Sequence, residues 1–151
     1  MNYRLAELPS GVRGVDATLE ELGRLVNADL KQTALRFHAT KILQGVQSKD
    51  HVGEGRAIYA WVRSRIRYQK DPVGIETVQS PVVTLRLAAG DCDDHAGLVA
   101  GLASAVGIPV RFRVVGYSAD QFVHIWPELF AGGRWWSADT TEKRSFGWRP
   151  P

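Results

Sequence analysis

The stretch GDCDDHAGLVAGLASAVGIPVRFRVVGY, residues 90–117, decides how this chain is read. Its middle, Ala96, Leu98, Val99, Leu102, Ala103 and Val106, is apolar on nearly every side, so the helix it forms belongs in the centre of a domain. Gly107 is suited to the position just past a helix end, and Pro109 forbids continuation. From Ile108 the period changes to two, with Ile108, Val110, Phe112 and Val114 alternating against Arg111 and Arg113, the pattern of a strand with one wet face. Cys92 is the only cysteine in the chain. Gly90 and Asp91 precede it, so its sulfur is expected at a helix start, where free N–H groups and the positive end of the helix dipole lower a thiol pKa.

Upstream, the chain reads as helical. DATLEELGRLV puts Leu19, Leu22 and Val26 on one face, with Asp16 or Thr18 as the cap and Thr18 with Glu21 as a capping box. LKQTALRFHATKIL is a second helix. GRAIYAWVRSRIRYQKD is a third, ended by Pro72 and Gly74, its arginines forming the solvated face opposite Ile58, Trp61, Val62 and Ile66. His38 in the second helix and His51 in a polar loop read as ordinary packed or surface side chains. The expected layout is one domain over 1–151, helical over 1–75, with the chemistry in about 76–145. With 151 residues, 44% of them hydrophobic, such a domain buries a core without staples. The net charge of +3 does not by itself call for nucleic acid, and none is expected as a partner. The first residues lack a basic segment followed by an apolar run, and no eighteen apolar residues occur in succession. A cytoplasmic location away from membranes is therefore expected.

Downstream, QFVHIWPELF and RWWSADTT read as a hairpin around AGG, with Pro127 suggesting an edge or irregularity in the first strand. If Ala131 and Gly132 form the turn, His124 faces Asp139, Trp126 faces Ser137 and Glu128 faces Trp135. Directly opposed residues are close enough for an aspartate–imidazole hydrogen bond. A thiol nucleophile needs a base and a group to orient that base, so Cys92, His124 and Asp139 form a coherent set. His95, three residues along the cysteine helix, is a neighbour rather than the base. Asp91, Asp94 and His95 stand at i, i+3 and i+4, on one helical face. First-turn aspartates are, however, what a helix dipole favours without a metal, and C-x-x-C and H-E-x-x-H are absent. No metal and no cofactor are expected.

These blocks resemble the transglutaminase-like superfamily of papain-like cysteine enzymes. Gly90, Cys92, Asp94 and Ala96 match its cysteine block, His124 with Trp126 its histidine beside an aromatic, and Trp135 or Trp136 with Asp139 its tryptophan and aspartate. AIYAWVRSRIRYQKDP resembles the helix placed before the cysteine. The resemblance implies an α+β fold in which the cysteine helix packs on an antiparallel sheet carrying the histidine and aspartate. It also implies acyl transfer through a thioester on a peptide or protein amide, with Asp91, Asp94 and Trp126 near the site. Relatives supply a second oxyanion donor from an upstream side chain, and Gln79 is the candidate here beside the Cys92 N–H. Small stand-alone chains resembling this one occur among phage-associated proteins. The alternative is therefore a binding or assembly module on the same fold, with SFGWRPP as a docking peptide.

Overall fold

A computed structural model of the chain describes residues 12–73, 77–116 and 124–149. Gly74, the expected strand residues 121–123 and the final two prolines lie outside these. The described elements are α1 (Val12–Leu30), α2 (Thr33–Ile42), α3 (His51–Arg65), β1 (Arg67–Tyr68), α4 (Pro81–Leu87), β2 (Ala89–Gly90), α5 (Cys92–Ala105), β3 (Val110–Val115), β4 (His124–Ala131) and β5 (Arg134–Ser137). The fold is α+β. Helix α5 is central, packed by α1, α2, α3 and α4 on its flanks and by β3 and β4 below.

That surround explains the apolar composition of α5. Leu98, Val99 and Leu102 are fully buried in one core with Leu35 and Ala39 of α2, Ile58 and Val62 of α3, and Leu129 of β4. A second cluster joins Leu22 of α1 to Ala96 and Ile125, with Cys92 packed against it. Each fully buried leucine contributes roughly 1.5–3 kcal/mol of transfer free energy. Gly107 adopts φ +85° after the last turn, as a residue there should.

Several boundaries differ from the sequence reading. Helix α1 begins before Asp16 and Thr18, which therefore sit inside it rather than cap it. Helix α3 starts at His51, not in a loop, because Asp50 caps it by accepting the Gly53 N–H at 3.1 Å. It stops at Arg65, where Ile66 turns extended so that Arg67 and Tyr68 can pair in parallel with Ala89 and Gly90. Helix α4 has a plain start signal that the reading passed over, Ser80 as cap followed by Pro81 in the first turn. The α3 arginines are partly engaged. Arg63 donates to the Arg144 carbonyl at 2.7 Å, and Arg56 lies over the Phe146 ring. Phe146, from the terminal SFGW, stacks on Trp136 of the same chain.

Strand β4 is the centre of the antiparallel sheet, order β3-β4-β5, so Pro127 is not on an edge. Its carbonyl accepts from Ala138 at 2.9 Å, so its missing N–H faces the β5 side at the point where the ladder ends, at Glu128↔Ser137. No β5 carbonyl loses a regular ladder partner there.

Candidate active site

The cysteine seat is built by backbone capping. Asp91 is the N-cap of α5 and accepts the Asp93 N–H at 3.3 Å, while Asp94 reaches back to accept the Asp91 N–H at 3.2 Å. The other Asp94 oxygen accepts the Gln79 N–H at 2.7 Å, which fastens the segment before α4 to the helix start. Cys92, the first helical residue, is half-buried, and the N–H groups of Ile125 and Asp93 face its sulfur. Ile125 adjoins His124, so α5 and β4 bring Cys92 and the histidine segment together.

The thiol is not the acidic one expected of a helix start. Burial first, and then the charges of Asp91 and Asp93, push Cys92 up to about 12 against the pull of the two N–H groups. Asp91, which caps the helix, and Asp93 beside it offset the helix dipole at the sulfur. At neutral pH the group is a thiol.

His124 and Asp139 meet, though not by the expected register. Gly132 and Gly133, at φ +57° and +78°, form the two-residue turn, so Ala131 pairs Arg134 and Glu128 pairs Ser137. The turn lies one residue later than the reading placed it, and each pairing shifts by two, which leaves every side chain on its expected face. Glu128 therefore faces Ser137 rather than Trp135. Past Ser137 the chain leaves the ladder, and Asp139 swings to His124, whose Nε2–H donates to Oδ2 at 2.8 Å. His124 and Asp139 side chains are 14% and 3% exposed. The second carboxylate oxygen, Oδ1, accepts from the Thr141 N–H and hydroxyl at 3.1 and 2.9 Å. Burial works to raise the Asp139 carboxyl, but the His124 hydrogen bond and charge, with the Thr141 donors, hold it below its ordinary range.

The other expected residues divide. Trp126 is buried, with its ring centroid 5.6 Å from that of His124. Gln79 and Gly90 line one cavity of about 230 Å³, with the Gln79 Oε1 accepting from the Thr84 hydroxyl at 3.3 Å. His95 does not join Asp91 and Asp94. Its Nδ1 is hydrogen-bonded to the Thr140 hydroxyl at 2.9 Å, and burial lowers its imidazole, so it is a neutral strut beneath the Asp139 turn. Asp93 takes its place in a cluster with Asp91 and Asp94. Burial, then the neighbouring carboxylates, raise Asp93 well above its ordinary range; burial, then Asp91, raise Asp94 to about 7.

Two residues escaped the sequence reading. Tyr68 lies beside His95, and its phenol is raised by burial and then by Cys92 and Asp91, so it stays a donor at neutral pH. Arg144 sits 3.8 Å from Asp139 Oδ2 and over the Trp148 ring. Neither belongs to a short motif; only the β1–β2 pairing and the return of the terminal segment bring them in.

Gly90 is where the seat tolerates least change. A Cβ there would lie 2.5 Å from the Asp94 Cβ, an atom close to the backbone. Gly90→Ala is expected to lose about 1–3 kcal/mol of stability, the usual range for forced overpacking, and to displace Cys92. Denaturant unfolding together with thiol accessibility measures both effects.

The sequence model of the transglutaminase-like superfamily matches residues 38–140, more than half of the chain. No curated protein matches the sequence. Among solved structures, a candidate cysteine protease from Cytophaga hutchinsonii is 25% identical with a TM-score of 0.57, the match covering 72% of this chain and 37% of that one. A candidate protease from Parabacteroides distasonis is 17% identical with a TM-score of 0.65, over 85% of this chain and 26% of that one, a likeness of fold. The chain thus spans well under half the length of either protein. With the cysteine helix packed on an antiparallel sheet and the family match extending across both, the chain belongs to the transglutaminase-like superfamily.

Proposed function

We propose that the chain is a cysteine-dependent amide hydrolase or acyltransferase in which Cys92, His124 and Asp139 act together on a peptide or protein amide. The observation that carries this reading is the 2.8 Å bond from His124 Nε2 to a buried carboxylate, with the Cys92 sulfur against the N–H of the next residue along β4. Asp139 fixes Nε2 as the protonated nitrogen and leaves Nδ1 to receive a proton. Cys92 gives its proton to that nitrogen as the sulfur attacks the carbonyl carbon, forming a C–S bond and a tetrahedral oxyanion. The Cys92 N–H is one candidate oxyanion donor, and Gln79 is the candidate for the second. On collapse the C–N bond breaks, and His124 returns the proton to the departing amine. Water or a second amine, deprotonated by His124, then attacks the thioester carbonyl, and the C–S bond breaks as His124 returns that proton to the Cys92 sulfur.

A thiol raised to about 12 fits proton transfer during attack rather than a standing ion pair. The same value favours a second reading, a catalytically weak binding module on this fold. Incubation with fluorescently labelled casein, with and without a labelled primary amine, separates the two. Hydrolysis or amine incorporation lost by at least ~10³-fold in Cys92→Ala supports the enzyme. Equal rates in both proteins rule it out.

A further inference from the structure

We propose that an arginine-lined groove on the His124 face of the sheet binds acidic peptide segments. Alternate residues of β4, His124, Trp126 and Glu128, share one face. The ladder sets Arg113 opposite Trp126 and Arg111 opposite Glu128 on that same face, while Ile125 and Leu129 point to the core. There a cavity of about 460 Å³ is lined by Arg111, Arg113, Arg134 and Arg149 with Glu128 and Trp135. The ladder sets Arg134 opposite Ala131, so its guanidinium lies on the other face of the sheet, and Arg111, Arg113 and Arg149 against Glu128 leave an excess of two positive charges.

The groove is preorganised. Arg111 donates to Glu128 at 2.6 Å and lies 4.3 Å from the Trp135 centroid. Arg113 reaches Glu128 only at 3.7 Å. Arg149 is exposed and has no ion pair among the described residues. Stacked guanidinium groups lose little freedom on binding and match carboxylates in paired geometry. Glu128 stands four residues along β4 from His124, about 13 Å at the usual strand rise of ~3.3 Å per residue. An extended peptide advances by the same step, so acidic side chains two to four residues from the attacked bond would fall in the groove. A cavity of this size suits a few side chains, whereas a nucleic-acid backbone needs a longer track of cations.

The role as a substrate subsite rests on the proposed amide chemistry, but binding does not, so the test uses Cys92→Ala protein and reads binding alone. Fluorescein-labelled hexaglutamate is titrated in about 0.1 M salt, where long-range charge effects are largely screened. Binding is expected to weaken about tenfold on adding Arg113→Ala and Arg149→Ala, which remove exposed side chains and should leave thermal unfolding unchanged. Adding Arg65→Ala and Arg86→Ala removes the same charge outside the groove and is expected to change binding less than about twofold. The single change Arg149→Ala repeats the test with the least structural perturbation. The proposal is overturned if hexaglutamate does not bind, if both double variants lose affinity alike, or if a thymidine oligonucleotide of equal charge binds more tightly than the peptide.

Discussion

His124→Ala lowers amide turnover by roughly 10⁴–10⁶-fold, the range for removing one member of a nucleophile–base set that works as a unit. The size follows from the state of the thiol. With Cys92 pushed up to about 12, few molecules carry a thiolate at neutral pH, and the nucleophile exists only as His124 takes its proton. Stability should fall by about 1–3 kcal/mol, because the buried Asp139 carboxylate loses its imidazole partner, a far smaller effect than that on turnover. His124 is the first residue of β4, while the residues of that strand facing the core are Ile125 and Leu129. Turnover under saturating substrate, with circular dichroism of both proteins, measures the two effects separately. A variant that folds and retains turnover contradicts the assignment of His124 as the base.

Asp139→Asn acts on the same step by another route and has a pH signature of its own. The amide has nearly the shape of the carboxylate but no longer stabilises the imidazolium formed during attack or selects its tautomer. A loss of rate on the order of 10⁴-fold is expected. The stability effect has a definite sign. The folded-state pKa of Asp139 lies below its ordinary value of about 3.9, so its contribution is fully present above that value and is lost as pH falls through the lower folded pKa. Unfolding midpoints of wild type and Asp139→Asn should therefore differ most near neutrality and converge in acid. A gap that stays constant down the acid limb would show that Asp139 does not hold its charge by contact with His124.

The sequence made the centre of the fold legible and left its electrostatics obscure. Helix α5 was readable because a helix packed on every side must be apolar on every side. The sharing of one face by His124 and Asp139 was readable because strand parity survives a two-residue shift of the turn. The shift arose because A-G-G offers two successive two-residue turns, and only the positive φ at both glycines selects the later one. Helix α4 has no long periodic pattern, only Ser80 and Pro81 to announce it. The thiol was misread because local sequence shows a helix start but not the burial of the sulfur or the pooled charge of Asp91 and Asp93. His95 reads as a neighbour of the site, but its partner is not legible in the sequence because Thr140 lies 45 residues away.

The most direct measurement is the rate of alkylation of Cys92 against pH in the wild type and in His124→Ala, since a single cysteine gives a single signal. If His124 removes the proton during attack, the wild type at neutral pH should react about 10²-fold or more faster than the variant, the usual worth of a positioned base. The variant's rate should climb only in strong alkali, as a thiol titrating at about 12 requires. Superimposable profiles in the two proteins would contradict the account, leaving Cys92 a buried thiol with no working base.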